Sequence, residues 1–202
     1  VRVAVHAPRT AERRAIDAFL AEKAHWIART LERFARCERL PAPRQFISGE
    51  RLAFLGETLW LEVAPGPPGT PERRQQTLRV QAPAEGAAVE RLVADWYRSR
   101  AQEVFRKTIA ACLPAAVPHG IPAPRLSIRA MRTRWGSARP PDRITLSTHL
   151  VKVAPACIEY VVMHELCHLK QPDHSPAFYA LLAACLPDWR PRRDALKRVV
   201  VL

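Results

Sequence analysis

The sequence predicts an α+β fold: a mixed N-terminal α/β region over residues 1–116, then a more strongly patterned region over 117–202. Three observations point there. Short stretches at 51–63, 77–83, 125–131 and 143–150 alternate apolar and polar residues, the period of half-buried strands. Longer stretches at 8–34 and 87–113 repeat apolar residues at helical spacing. Residues 156–171 are apolar around almost the whole circumference of a helix, which marks a buried one.

Taken in chain order, "PRTAERRAIDAFLAEKAHWIARTLERF" places Ile16, Phe19, Leu20, Ile27, Leu31 and Phe34 on one helical stripe. "RLAFLGETLWLEV" alternates on either side of Gly56-Glu57 and reads as a hairpin. "APGPPGTPERR", residues 64–74, is a Pro/Gly-rich loop expected to be irregular and open to proteases. "TLRVQAP" is a short strand, and Ala87 to Leu113 forms a long amphipathic helix that "VPHGIPAP" (117–124) breaks, supplying the boundary between the two regions. Beyond it, "RLSIRAM" and "RITLSTHL" alternate like strands joined through "RTRWGSARPPD". Pro155 ends the extended segment, and Ala156 to Gln171 continues as the buried helix.

Composition narrows the class. A 202-residue chain that is 48% hydrophobic can bury a substantial core. No apolar run approaches the roughly 20 residues of a membrane-spanning helix, so no membrane segment is expected. The first residues, among them Arg2, His6, Pro8 and Arg9, do not read as a signal peptide. The five cysteines (Cys37, Cys112, Cys157, Cys167 and Cys185) are scattered, odd in number and form no C-x-x-C pair, which suits a reducing cytoplasm. The net charge of +13 suggests nucleic acid, yet 27 of the 32 basic residues are Arg in a chain that also holds 19 Pro. That joint bias is what a GC-rich genome imposes on surface positions. Nucleic acid is therefore a partner class supported by charge alone.

The chemistry concentrates in "VVMHELCHLKQPDH", residues 161–174. Three ionisable residues, His164, Glu165 and His168, fall on a helix that should lie inside the protein, where polar groups are costly unless paired or bound to metal. At about 100° per residue, His164 and His168 sit about 40° apart, one turn above the other. Their imidazoles can converge on one ion at the roughly 2.0–2.1 Å of a Zn–N bond. Glu165 lies about 80° from their bisector, awkward as a ligand and well placed to hydrogen-bond a water beside the metal. The segment just after the helix offers a third ligand. Pro172 stops the helix, Ser175-Pro176 looks like the N-cap and first residue of the next, and His174 falls in the turn between them. The spacing H-E-x-x-H-x5-H is shared with metzincins, but Gln171 stands where they place Gly and no Met occurs after the motif. No Glu occurs after Glu165, so Asp188 in "LPDWR" is the competitor to His174.

The run from "RTRWGSARPPD" through "VVMHELCHLKQPDHSPAFYALLAACLPDWR" resembles the YgjP-like metallopeptidase family, zincin-type hydrolases related to the SprT-like and WLM proteases. "AEKAHWIART" and "FLGETLWLEV" are similar to that family's weaker N-terminal elements. The resemblance implies a zincin-like metallopeptidase core, with His164, His168 and His174 holding Zn²⁺ and Glu165 as general base. The family's usual RWGSC is RWGSA here, with Ala138 in the Cys position, which removes any role for that thiol and leaves the zinc site untouched.

The resulting expectation is a zinc metallopeptidase acting on a peptide or protein substrate. "RITLSTHL" is the candidate strand edge for pairing with an extended peptide. A metal-dependent phosphohydrolase acting on nucleotides and a DNA-associated protease are the alternatives. No Gly-rich phosphate loop or acidic two-metal cluster supports the first, and the second rests on charge alone. Around the motif, Arg134 and Trp135 are candidates to line the cleft or to pack. His149 and Tyr160 are candidates to approach the site, and Cys167 is expected to pack in the core.

Overall fold

The computed structural model describes residues 4–8, 10–36, 44–83, 86–131 and 133–199, which form two compact units, 1–44 and 45–201. The first unit holds helix α1 (Arg13–Arg36). Its expected stripe is partly realised: Ile16, Leu20, Ile27 and Leu31 are half-buried while Phe19 is exposed. The side chain of Phe34, like Cys37, lies outside the described residues.

The second unit opens with the expected hairpin, β1 (Arg51–Phe54) and β2 (Glu57–Pro65), paired with Leu52 opposite Leu59. Alternation puts Leu52, Phe54, Leu59 and Leu61 into the core. The turn falls on Leu55-Gly56, one residue earlier than the alternation suggests, with φ of 51° and 81°. Left-handed backbone at both central positions matches the twist of the strands it joins. Leu55 adopts it at a steric cost, offset where the turn docks: Leu55 N–H donates to Val151 O at 2.9 Å and Gly56 N–H to Lys152 O at 3.2 Å. A side chain at Gly56 would come within 3.0 Å of Ala154 Cα, so the tip of the hairpin sits directly on the approach to the metal-motif helix.

The Pro/Gly-rich segment is less irregular than expected, because its end forms β3 (Glu72–Arg74), antiparallel to β4 (Thr77–Ala82). The first sheet runs β1-β2-β4-β3, with β2 and β4 parallel. Helix α2 (Ala87–Ala116) extends three residues past Leu113, passes through Pro114, and gives way to a 3-10 turn (Val117–His119) closed by Gly120 at φ 75°. The pattern change at 116/117 marks this end of α2. One buried cluster runs on both sides of it, from Leu52 and Phe105 to Ile158 and Leu166.

The second sheet contains β5 (Arg125–Arg129), β6 (Gly136–Arg139) and β7 (Arg143–Ser147) in the order β5-β7-β6. Two expectations change here. "RTRWGSARPPD" is more than a connection, since it carries β6. And "RITLSTHL" is not an edge: β7 is parallel to β5 on one side and antiparallel to β6 on the other, so its backbone groups are already committed. The edge packed beside the metal-motif helix belongs to β6. The strand also ends at Ser147, and Thr148–Lys152 winds into a 3-10 turn. Helices α3 (Pro155–His168), α4 (Pro176–Cys185) and α5 (Trp189–Lys197) complete the unit. The α+β class holds, with five helices and two mixed sheets among the described residues. No described helix is long and apolar enough to cross a membrane.

Candidate active site

Helix α3 begins at Pro155, whose fixed φ suits a first helical position, and nine of its residues are buried, from Cys157 to Cys167. Being apolar all round, it is enclosed by α2, β6, α4 and α5. Its last two turns carry His164, Glu165 and His168. After the helix ends, Ser175 caps α4 as expected, its Oγ accepting from Phe178 N–H at 3.4 Å, with Pro176 at the first position. The short turn between the two helices swings His174 back onto α3.

The three imidazoles meet. His164 Nε2, His168 Nε2 and His174 Nε2 lie 3.1 Å from one another, an equilateral arrangement. A tetrahedral ion with bonds of about 2.0–2.1 Å asks for ligand atoms about 3.3–3.4 Å apart, so the donors match a metal to within a few tenths of an ångström. The tautomer of His168 fits as well. His168 Nδ1 lies 2.9 Å from Gln171 O, a carbonyl that can only accept, so Nδ1 carries the proton and Nε2 presents a lone pair. Burial pushes the His164 imidazole down to about 3, helped by His168 and His174, and burial also lowers His168. Two such nitrogens can share a proton at this distance, whereas three converging lone pairs would need a cation between them. These three residues form the group of potential metal ligands found among the described residues.

Aromatic rings hold the cluster in place. Phe178, fully buried, contacts all three imidazoles, with ring centroids 4.9 Å from His164, 4.4 Å from His168 and 5.0 Å from His174. Tyr179 lies parallel to His174 on one side and Trp189 on the other. The sequence patterns did not single out Phe178. Its only signal was an aromatic residue four positions after His174, in the first turn of the next helix.

Glu165 is the one buried charged side chain among the described residues, 6% exposed. Its carboxyl faces β6, where a Cβ on Gly136 would come within 2.7 Å of its Oε1. Burial pushes the carboxyl up to about 7, and the Arg134 guanidinium works against that shift. Such a group changes protonation near neutral pH, where a general base works best. Arg134 is exposed, whereas Trp135 is half-buried against the core, and its carbonyl accepts from Ser147 N–H at 2.8 Å.

The remaining candidates fall elsewhere. Asp188 Oδ2 accepts from Arg192 Nε at 2.8 Å, and Arg192 also reaches Glu159 of α3. Asp188 thus belongs to an ion network tying α5 to α3. Cys167 is fully buried, burial pushes its thiol up to about 12, and it is not part of the converging group of His164, His168 and His174. His149 sits in the 3-10 turn, its N–H donating to Ser147 Oγ at 3.3 Å. Tyr160 is buried one turn before His164, with ring centroids 5.7 Å apart. A cavity of about 860 Å³ lies between α2 and the 68–73 segment, reaching Pro155 and none of the three histidines.

The opposed shifts at Glu165 and His164 predict a pH signature. Glu165 rises from 4.5 to about 7, so its contribution to stability is full below about 4.5 and is lost as pH climbs toward 7. His164 falls from 6.5 to about 3, so its contribution is full above 6.5 and is lost as pH drops toward 3. Between roughly 4.5 and 6.5 the two oppose each other and largely cancel. Glu165→Gln removes one side of the balance. In protein stripped of metal by a chelator, the variant should gain on the wild type across this window and on to pH 7, by about 3 kcal/mol at most. Urea unfolding at a series of pH values measures it, and a pH-independent difference would show that Glu165 is not desolvated.

The family described as "YgjP-like, metallopeptidase domain" matches residues 1–199. No curated protein matches the chain. Among solved structures, the metallopeptidase zymogen of Pyrococcus abyssi abylysin is similar at a TM-score of 0.39 and 20% identity, over 46% of this chain and 90% of that one.

Proposed function

From the premise that this chain belongs to the YgjP-like metallopeptidase family, we propose that it is a zinc-dependent peptidase with Glu165 as general base. The observation that carries the reading is the triangle of Nε2 atoms, 3.1 Å on each side, with a buried carboxyl on the adjacent residue. His164, His168 and His174 would hold the ion. Three neutral nitrogen ligands leave a coordination position open, the pattern of catalytic rather than structural zinc. The metal would supply Lewis acidity, easing deprotonation of a water and polarising the scissile carbonyl. Glu165 accepts a proton from the attacking water as its oxygen bonds to the carbonyl carbon. It then returns that proton to the amine nitrogen as the C–N bond breaks, giving one carboxylate and one amine.

Residues 117–202 carry this chemistry in the reading. The substrate strand is assigned to the edge of β6, which has a free side next to α3, rather than to β7. The buried, unpaired thiols of Cys112, Cys157, Cys167 and Cys185 suit a reducing compartment such as the cytoplasm.

The test is a direct assay of purified protein on a permanently unfolded (reduced and alkylated) protein and, separately, on nucleotides. Peptide-bond cleavage that a chelator abolishes and about one equivalent of zinc restores is the expected result. Release of phosphate from nucleotides without proteolysis would replace the peptidase reading by the phosphohydrolase one.

A further inference from the structure

Gly136 begins β6 in ordinary strand backbone; the left-handed glycines are Gly49, Gly56, Gly66, Gly86 and Gly120. Any residue could adopt its conformation, and glycine inside a strand weakens the strand. The reason for glycine here is therefore what stands next to it. A Cβ at this position would meet Glu165 Cγ at 2.7 Å, Oε1 at 2.7 Å and Cδ at 2.9 Å. Three contacts this short, one of them to Cγ, cannot be relieved by turning the carboxylate alone.

Neither backbone can retreat. Gly136 pairs with Leu146 of β7 and Ala138 with Ile144, and both β7 partners are fully buried. The residue before Gly136 is held by the Ser147 N–H bond to Trp135 O. On the other side Leu166 and Cys167, the next two residues of α3, are fully buried. The only way to admit a side chain at 136 is to rotate Glu165 about χ1, and a helix leaves few rotamers for that.

We propose that Gly136 is a positioning residue for the reaction: its missing side chain is the space that fixes the path of Glu165 and so the place of its carboxyl. The inference deepens the general-base reading of Glu165 and rests on it. It also explains the residue through one contact across the sheet–helix interface, with no appeal to turn geometry.

The experiment is a double-mutant cycle in the full chain, pairing Gly136→Ala with Glu165→Ala. Read on its own, Gly136→Ala should lower kcat on the unfolded protein substrate by on the order of 10²-fold, the cost of misplacing a reacting group by about 1 Å. KM and zinc content should stay near wild type, because the three atoms nearest a Cβ at Gly136 all belong to Glu165. Read by thermal melting without metal, Gly136→Ala should lower Tm in the wild-type background and should not lower it in the Glu165→Ala background, where the Cγ, Cδ and Oε1 it would meet are gone. Equal losses of Tm in both backgrounds would overturn the proposal, as would a Gly136→Ala enzyme with unchanged kcat. If Gly136→Ala fails to fold alone, the double variant should fold, and its failure too would overturn the proposal. A Glu165→Gln enzyme with normal turnover would sink the base assignment separately, while the melting cycle still decides whether Gly136 seats the side chain.

Discussion

Glu165→Gln is expected to fold, to keep its zinc, and to lose hydrolysis by about 10²–10⁴-fold. Glu165 points toward β6 at Gly136, while the histidines on the same helix converge with His174. The carboxyl is therefore outside the histidine triangle and beside it. Gln keeps the length and much of the hydrogen bonding, yet an amide cannot accept a proton from water at neutral pH. Steady-state turnover paired with metal analysis separates the outcomes. Loss of zinc along with activity would make Glu165 a ligand, and retention of both would leave the water to be activated by another group.

His174→Ala should abolish most zinc binding and with it activity, whereas Asp188→Ala should leave one zinc per chain. His174 supplies one corner of the Nε2 triangle, and a site reduced to two protein nitrogens falls below the three ligands of catalytic zinc. Asp188 is occupied by Arg192, and its removal should show instead in the attachment of α5 to α3 through Glu159. Metal content by mass spectrometry or a colorimetric chelator decides the matter. The reverse pattern, zinc lost with Asp188 and kept without His174, would require the loop to rearrange and would refute the three-histidine site.

What the sequence made legible was whatever local periodicity encodes. The all-round apolar character of 156–171 announced a buried helix, and a spacing of four put His164 and His168 on one face. The Ser175-Pro176 cap marked the start of α4 and so left His174 in the turn before it. The structure then added what depends on tertiary partners. Strand β6 was missed because "WGSARPPD" is rich in Pro, Gly and Arg, and the segment is a strand by virtue of pairing with β7. Alternation in "RITLSTHL" looks the same for a central strand as for an edge, so the order β5-β7-β6 could not be read from it. Phe178 touches three histidines from two elements, a convergence that no single-segment pattern contains.

The three histidines do not share one support. His164 and His168 are fixed to the buried helix α3, while His174 comes from the short stretch before Ser175, exposed and braced by Phe178 and Tyr179. Under the three-histidine reading, capture and release of the ion are therefore kinetically asymmetric. The helix pair offers a standing two-point grip, and closure of the turn supplies the third point and the residence time. The rate at which metal leaves would be set by local opening of residues 170–175, a sub-global event far less costly than unfolding α3. Zinc exchange would then be fast relative to global unfolding, and a chelator would reach the ion through the one part of the site that can open while the core stays shut.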